Sequence, residues 1–138
     1  MPQRIVASAA RDLGIAPMSR IICSRALTGR QRDYANAVGV LQSKHCPPRL
    51  LAKLKRIERA AGRRLGRRWG SRVLDLDIVG WSGGIWASRG LTIPHAAFRD
   101  RRFVLAPLCE IAPDWRDPVT HLTARHLLAR LDRKRPRP

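Results

Sequence analysis

The sequence has few cysteines, and the ones it has are isolated from one another. Cys23, Cys46 and Cys109 include no C-x-x-C pair, and an odd number cannot make a closed disulfide framework. A cysteine-based zinc site or redox motif is therefore not indicated. We expect reduced, partly buried thiols.

Long apolar runs are also missing. No stretch reaches the roughly 18 consecutive apolar residues of a transmembrane helix, and the first residues lack the features of a signal peptide. We therefore expect a cytoplasmic protein with no membrane partner. Its 138 residues suit one domain, which we place at 1–132, with a basic disordered tail at 133–138.

Acidic residues are scarce: 10 stand against 28 lysines and arginines, for a formal net charge of +18. A chain this basic usually binds phosphate in some form. Nucleic acid, an acidic membrane surface and a small polyphosphate such as ATP all remain open on this ground. Because bulk charge does not separate them, the positions of the few carboxylates are more informative.

The pattern of apolar residues, glycines and prolines predicts an α+β protein. Helices are predicted at 2–13, 47–61, 101–109 and 123–131, and strands at 18–27, 34–42, 73–79, 85–86 and 91–95. Gly14 and Gly62 are expected to end the first two helices. The order indicates a sheet with helices on one face, as in a βαββαβ fold without its first strand, plus a C-terminal helical extension.

The pentapeptide Leu74-Asp75-Leu76-Asp77-Ile78 carries two carboxylates at alternating positions. In a strand such residues face the same way, about 6 to 7 Å apart, while the apolar residues face the core. Like charges on one face repel, and a divalent cation removes that repulsion. A solvent-facing strand whose acids pair with nearby arginines is the alternative interpretation.

The segment before it, Gly62 to Arg72, has five arginines and no acid. Its three glycines favour a loop over a helix, and arginine suits bidentate contacts with phosphate. An arginine-rich loop leading into a metal-binding strand matches the needs of phosphoryl transfer. A nucleic-acid-binding module also fits the arginines and Trp69, although Asp75 and Asp77 would repel a phosphate backbone.

Two further sets of residues are candidates for ligand contacts. Tyr34 and Asn36 share one face of a predicted strand, where a ring and an amide suit a flat heterocycle; an edge-strand tyrosine beside a surface asparagine is the alternative. His95 follows Pro94 and could donate to a phosphate oxygen. Taken alone, a structural or surface histidine is the more common case.

Together these blocks resemble the 6-hydroxymethyl-7,8-dihydropterin pyrophosphokinase family of folate biosynthesis, in family order over roughly residues 20 to 115. The matching blocks are Asp33-Tyr34-Ala35-Asn36-Ala37-Val38, Leu50-Leu51 through Arg56-Ile57-Glu58 to Gly62-Arg63, Arg68-Trp69-Gly70-Ser71-Arg72-Val73-Leu74-Asp75-Leu76-Asp77-Ile78, Leu91-Thr92-Ile93-Pro94-His95, and Arg101 through Phe103-Val104-Leu105 to Pro107-Leu108-Cys109-Glu110-Ile111-Ala112-Pro113. The R-W-G-x-R-x-L-D-L-D block is far more specific than D-x-D alone.

The resemblance implies a ferredoxin-like α+β fold and an ATP-dependent pyrophosphokinase, in which the pterin hydroxymethyl oxygen attacks the β-phosphorus of ATP and AMP leaves. It also implies two Mg²⁺ ions and a monomer acting on small molecules. By position, the resemblance implies that the metal ligands are Asp75 and Asp77 and that the catalytic residues are Arg63, Arg72, His95 and Arg101. It implies that the pterin contacts are Tyr34, Asn36 and Phe103, and that the nucleotide contacts are Glu58, Trp69, Ile78 and Thr92. Without the resemblance, Phe103 would be assigned to the core.

The sequence departs from the family pattern in several places. The family begins with a strand and a glycine-serine-asparagine turn, whereas this sequence starts at the following helix. We expect either an upstream in-frame segment that supplies this strand or a shortened, catalytically impaired relative that still binds nucleotide or pterin. Leu65 and Ser71 also replace a common arginine and proline, and the loop before Tyr34 is short.

Overall fold

The computed structural model describes residues 8, 13–15, 17–24, 34–64 and 74–134. Its strands are β1 (Ile22–Ser24), β2 (Tyr34–Asn36), β3 (Trp86–Ser88) and β4 (Leu91–Ile93), and its helices are α1 (Pro47–Arg64), α2 (Arg102–Ile111) and α3 (Ala124–Lys134), with a 3₁₀ turn at Phe98–Asp100. The α+β class is thus confirmed. The strands form two separate antiparallel pairs, β1–β2 and β3–β4, so the ferredoxin-like sheet stays a prediction.

Strands β1 and β2 lie within the two strands predicted at 18–27 and 34–42, although they are shorter than predicted. Ile22 pairs with Asn36 and Ser24 with Tyr34, and a further bridge joins Met18 to Gly39. Of the predicted first helix, only Ser8 and Leu13 lie in the described part, and both are helical. Gly14 follows with a φ of +69°, a conformation that glycine adopts without strain and that commonly ends helices.

Helix α1 extends further than the sequence predicted. It continues through Gly62 to Arg64, so the expectation that Gly62 ends the helix and opens a loop was wrong. The physical reason is tertiary packing: Ala61, one residue earlier, is buried against Leu74, and packing of an apolar face stabilises helices more than intrinsic propensity does.

The predicted strand at 73–79 is not a strand over its described part, residues 74–79. A strand needs a neighbouring ladder, and here the backbone groups bond elsewhere. The Leu76 amide donates to the Glu58 carboxylate at 2.6 Å, and the Val79 carbonyl accepts from the His95 amide at 2.9 Å. The segment is therefore held by individual bonds to α1 and to the chain after β4.

The predicted strand at Ile85–Trp86 corresponds to β3, which pairs with β4 in the register Trp86 to Ile93 and Ser88 to Leu91. A turn precedes it, in which Gly84 has a φ of +93° and donates its amide to the Trp81 carbonyl at 3.0 Å. The paired glycines Gly83 and Gly84 are typical of such a turn.

The main core lies where α2 and α3 pack on the 3₁₀ turn. It consists of Phe98, Leu105, Leu108, Ala124, Leu127 and Leu131. Helix α3 includes Arg133 and Lys134, which the sequence analysis had placed in the disordered tail; residues 135–138 lie outside the described part. No helix in the described ranges has the length and apolar character needed to cross a bilayer.

Candidate functional site

A cleft between β2 and the segment 74–76 brings together two of the predicted site residues. Asn36 and Asp75 both line it, together with apolar groups that include Met18, Val38 and Leu74. The two residues are 39 positions apart in sequence, so the fold rather than the local pattern places them side by side. The cleft thus joins a predicted pterin contact to a predicted metal ligand.

Exposure alternates along the segment that carries the two carboxylates. Leu74 is buried, Asp75 is exposed, Leu76 is half-buried and Asp77 is exposed. The predicted alternation of covered leucines and exposed acids is thus present, even though the segment is not a strand.

Glu58 lies directly behind this segment. Its carboxylate, only 10% exposed, accepts the Leu76 amide at 2.6 Å. Both of its oxygens also accept from Lys55 Nζ at 3.3 Å. Glu58 therefore connects α1 to the residue between Asp75 and Asp77, a contact that sequence spacing gave no means to predict.

His95 lies next to Asp77. Its Nε2 lies 3.8 Å from Asp77 Oδ2, and its Nδ1 accepts the Ala97 amide at 3.2 Å. Because Nδ1 is an acceptor, the neutral ring carries its proton on Nε2. The donor nitrogen is therefore the one turned toward the carboxylate, where it could serve a ligand held between the two.

Arg101 and Phe103 lie together at the start of α2, with the guanidinium carbon 5.7 Å from the ring centroid. Phe103 is 46% exposed, so the interpretation from pattern alone, that it belongs to the core, was wrong. Its position on a helix whose buried face carries Leu105 and Leu108 turns it outward. An exposed ring beside a cation is suited to stacking on a flat ligand.

The remaining predicted residues are distributed around this centre. Ile78 is half-buried next to Asp77, and Thr92 is exposed on β4. Arg63 is exposed in the last turn of α1 rather than on a loop. Arg72 and Trp69 lie outside the described residues, and of Tyr34 only the backbone, in β2, is described. Their roles stay predictions.

The donor set at Asp75 and Asp77 was compared with the requirements of Mg²⁺. Within the described ranges, no group of three or more His, Cys, Asp or Glu side chains could enclose a metal. Mg²⁺ usually takes one or two carboxylates and completes its shell with water and substrate phosphates. Two exposed carboxylates two positions apart fit that mode.

A buried ion pair that the sequence analysis did not identify lies next to this site. Asp117, with no exposed surface, accepts from Arg99 Nε at 2.6 Å and Nη2 at 2.9 Å. Burial alone would raise the pKa of Asp117, but hydrogen bonds from Arg99, Thr120 and Val119 outweigh it and lower the pKa to about 2. The same Asp117 hydrogen bond is the main reason why the pKa of Arg99 is raised.

Comparison with known proteins identifies the family. The sequence model of 7,8-dihydro-6-hydroxymethylpterin-pyrophosphokinase matches residues 2–113. The chain belongs to this family. The matched range includes every candidate site residue described above, while Asp117 and α3 follow it in sequence.

Individual relatives carry consistent names. A protein of Synechocystis named 2-amino-4-hydroxy-6-hydroxymethyldihydropteridine pyrophosphokinase is 42% identical over 109 residues, covering 79% of this chain and 56% of that protein. One of the same name from Haemophilus influenzae is 48% identical over 84 residues, covering 61% and 52%. The folic acid synthesis protein fol1 of Schizosaccharomyces pombe is 36% identical over 101 residues, covering 73% and 14%. The chain thus spans little more than half the length of the two bacterial relatives.

Proposed function

We propose that the chain transfers pyrophosphate from ATP to the hydroxymethyl group of 6-hydroxymethyl-7,8-dihydropterin, giving AMP and the pterin diphosphate for folate synthesis. The observation that carries this proposal is the shared cleft of Asn36 and Asp75. The residue we assign to the pterin and one that we assign to the metal thus line the same cleft, which supports a transfer between those two substrates. Membership of the family supports the same reaction.

In this proposal each side chain has a distinct task. Asn36 hydrogen-bonds the pterin edge, and Tyr34 and Phe103 stack on its two faces. Asp75 and Asp77 would hold two Mg²⁺ ions, which supply charge neutralisation across the phosphates. His95 donates from Nε2 to a phosphate oxygen, and the guanidinium of Arg101 neutralises developing negative charge.

Further residues complete the proposed nucleotide side. They are Arg63 and Arg72 as phosphate contacts, and Glu58, Trp69, Ile78 and Thr92 around the nucleotide. We also propose a ferredoxin-like arrangement for the whole domain, a monomeric state and a cytoplasmic location. None of these roles requires a nucleic-acid partner.

The test is AMP release from ATP, measured with and without the hydroxymethyl pterin and with Mg²⁺ present. We expect pterin-dependent AMP formation that Asp75→Ala and Asp77→Ala each abolish, with circular dichroism spectra unchanged. Full activity in both variants would contradict the metal assignment. Calorimetric binding of nucleotide or pterin without any turnover would indicate the impaired relative instead.

A further inference from the structure

We propose that Asp117 and Arg99 act as a positioning clamp for the nucleotide arm, by which we mean residues 95–101 between β4 and α2. The arm carries His95 at one end and Arg101 at the other. The proposal rests on the proposed function, because it concerns how those two residues are held for the nucleotide. Asp117 lies outside the residues that the family model matches.

The clamp is fully formed on the Asp117 side. Its carboxylate has no exposed surface and receives four hydrogen bonds. Arg99 donates two, from Nε at 2.6 Å and Nη2 at 2.9 Å, while the Val119 amide donates at 3.0 Å and the Thr120 hydroxyl at 2.7 Å. A bidentate arginine-carboxylate pair fixes both position and orientation. Arg99 therefore has one arrangement available to it.

The loop that carries Asp117 is itself anchored to α3. The Asp117 amide donates to the Leu122 carbonyl at 2.8 Å, and the Ala124 amide donates to the Trp115 carbonyl at 2.9 Å. Trp115 also packs edge-on against Phe98, with ring centroids 5.8 Å apart. The clamp thus ties the arm to the main core of the protein.

Backbone hydrogen bonds connect Phe98, the neighbour of Arg99, to both ends of the arm. The Phe98 amide donates to the His95 carbonyl at 3.3 Å, and the Arg101 amide donates to the Phe98 carbonyl at 3.3 Å. Phe98 is completely buried, and the Arg99 guanidinium lies 4.7 Å from its ring centroid. A shift at Arg99 would therefore move the groups that face the nucleotide.

A purely stabilising ion pair and a positioning clamp predict different kinetics. If the pair only stabilises the fold, folded Asp117→Asn protein should turn over normally. If it positions the arm, the folded variant should lose efficiency toward ATP, because small misplacements of catalytic groups slow reactions strongly. The KM for pterin should be spared, since the proposed pterin contacts Asn36 and Phe103 lie on β2 and α2, both outside the arm.

The experiment compares Asp117→Asn with Asp114→Asn. Asp114 is in the same loop and pairs with Arg125 of α3, but both of those side chains are largely exposed and neither belongs to the arm. At a temperature where circular dichroism shows both variants folded, we expect Asp117→Asn to lower kcat/KM for ATP about tenfold while the KM for pterin stays unchanged. Asp114→Asn should match the wild type in both.

Two results would overturn the clamp. One is folded Asp117→Asn protein with wild-type kcat/KM for ATP, and the other is a KM for pterin that rises by as much as kcat/KM for ATP falls. If Asp117→Asn does not fold, Arg99→Lys replaces it, because lysine keeps a cation beside Asp117 but loses the two-pronged geometry. We then expect a loss toward ATP of about threefold, and normal ATP kinetics would refute the proposal.

A second readout does not depend on turnover. The ring resonances of His95, assigned by their absence in His95→Ala, should shift in Asp117→Asn and stay in place in Asp114→Asn. Wild-type protein that releases no AMP would count against the proposed function alone. Unmoved His95 resonances in Asp117→Asn would count against the clamp alone.

Discussion

Replacing Glu58 should loosen the segment that carries Asp75 and Asp77. The Glu58 carboxylate is 10% exposed and accepts the Leu76 amide at 2.6 Å, and hydrogen bonds to charged groups contribute about 1.5 to 3 kcal/mol. Glu58→Ala removes the acceptor, so we expect it to lower the free energy of unfolding by about 2 kcal/mol. Glu58→Gln keeps the shape and one acceptor but loses the charge, and about 1 kcal/mol is expected.

The effect on activity should be visible in the dependence on free Mg²⁺. If the loosened segment loses the same free energy from metal binding, the half-saturating Mg²⁺ concentration rises about thirtyfold in Glu58→Ala and about fivefold in Glu58→Gln. AMP release at saturating ATP and pterin, titrated with Mg²⁺, measures this shift. The KM for ATP at saturating Mg²⁺ should change less than the Mg²⁺ dependence, because the carboxylate of Glu58 is bonded to the Leu76 amide.

The matched control is Lys55→Met. It removes the 3.3 Å ion pair with Glu58 but leaves the bond to Leu76, so its Mg²⁺ titration should resemble that of the wild type. An unchanged Mg²⁺ titration in Glu58→Ala together with a raised KM for ATP would refute this reasoning. That result would assign Glu58 to the nucleotide, as the family resemblance implies.

Three further predictions concern single side chains. Asp77→Asn should reduce AMP formation by about a hundredfold or more, because it removes a charge that supports the metal. Steady-state kinetics at saturating substrates measure this loss, and retained activity would contradict the prediction. Phe103→Ala should raise the KM for pterin about tenfold, because stacking on a ring contributes about 1 to 3 kcal/mol. Thermal stability should change little, since the ring is 46% exposed. A wild-type KM for pterin would exclude stacking. The folded-state pKa of Asp117, about 2, lies below its ordinary value of 3.8, so its ionised form contributes about 2 kcal/mol of stability above pH 4 that is lost as the pH falls toward 2. Urea unfolding at several pH values should show a smaller acid loss in Asp117→Asn, and an equal loss would contradict the assignment.

The sequence predicted those parts of the structure that depend on local periodicity. Strands β1 and β2 lie within two predicted strands, and the outward direction of Asp75 and Asp77 follows from alternation. The predicted strand at 73–79 failed over residues 74–79 because alternation indicates which side chains face solvent but not whether a partner strand is present. The end of α1 was misplaced because burial of Ala61 outweighs the weak helix propensity of Gly62.

Contacts between loops could not be predicted from the sequence, for a different reason. Arg99 and Asp117 are 18 residues apart, in a 3₁₀ turn and a loop that carry no repeating pattern. In a chain with 28 basic residues, nothing in the composition singles out one arginine as the partner of a given acid. The only local signal was that Asp117 precedes Pro118 in a loop next to an apolar helix, which is common in proteins and does not identify an ion pair.

The segment of Asp75 and Asp77 depends on its neighbours more than a central strand would. A strand in a ladder is held by many equivalent bonds, and the loss of one is shared among the rest. Among the described contacts of this segment, the Leu76 amide bonds to Glu58 and the Val79 carbonyl to the His95 amide, each from a different element. The two carboxylates are thus placed by α1 on one side and by the nucleotide arm on the other. Because Arg99 of the arm pairs in turn with Asp117, the position of the proposed metal-binding pair should depend on residues outside the proposed metal and substrate contacts.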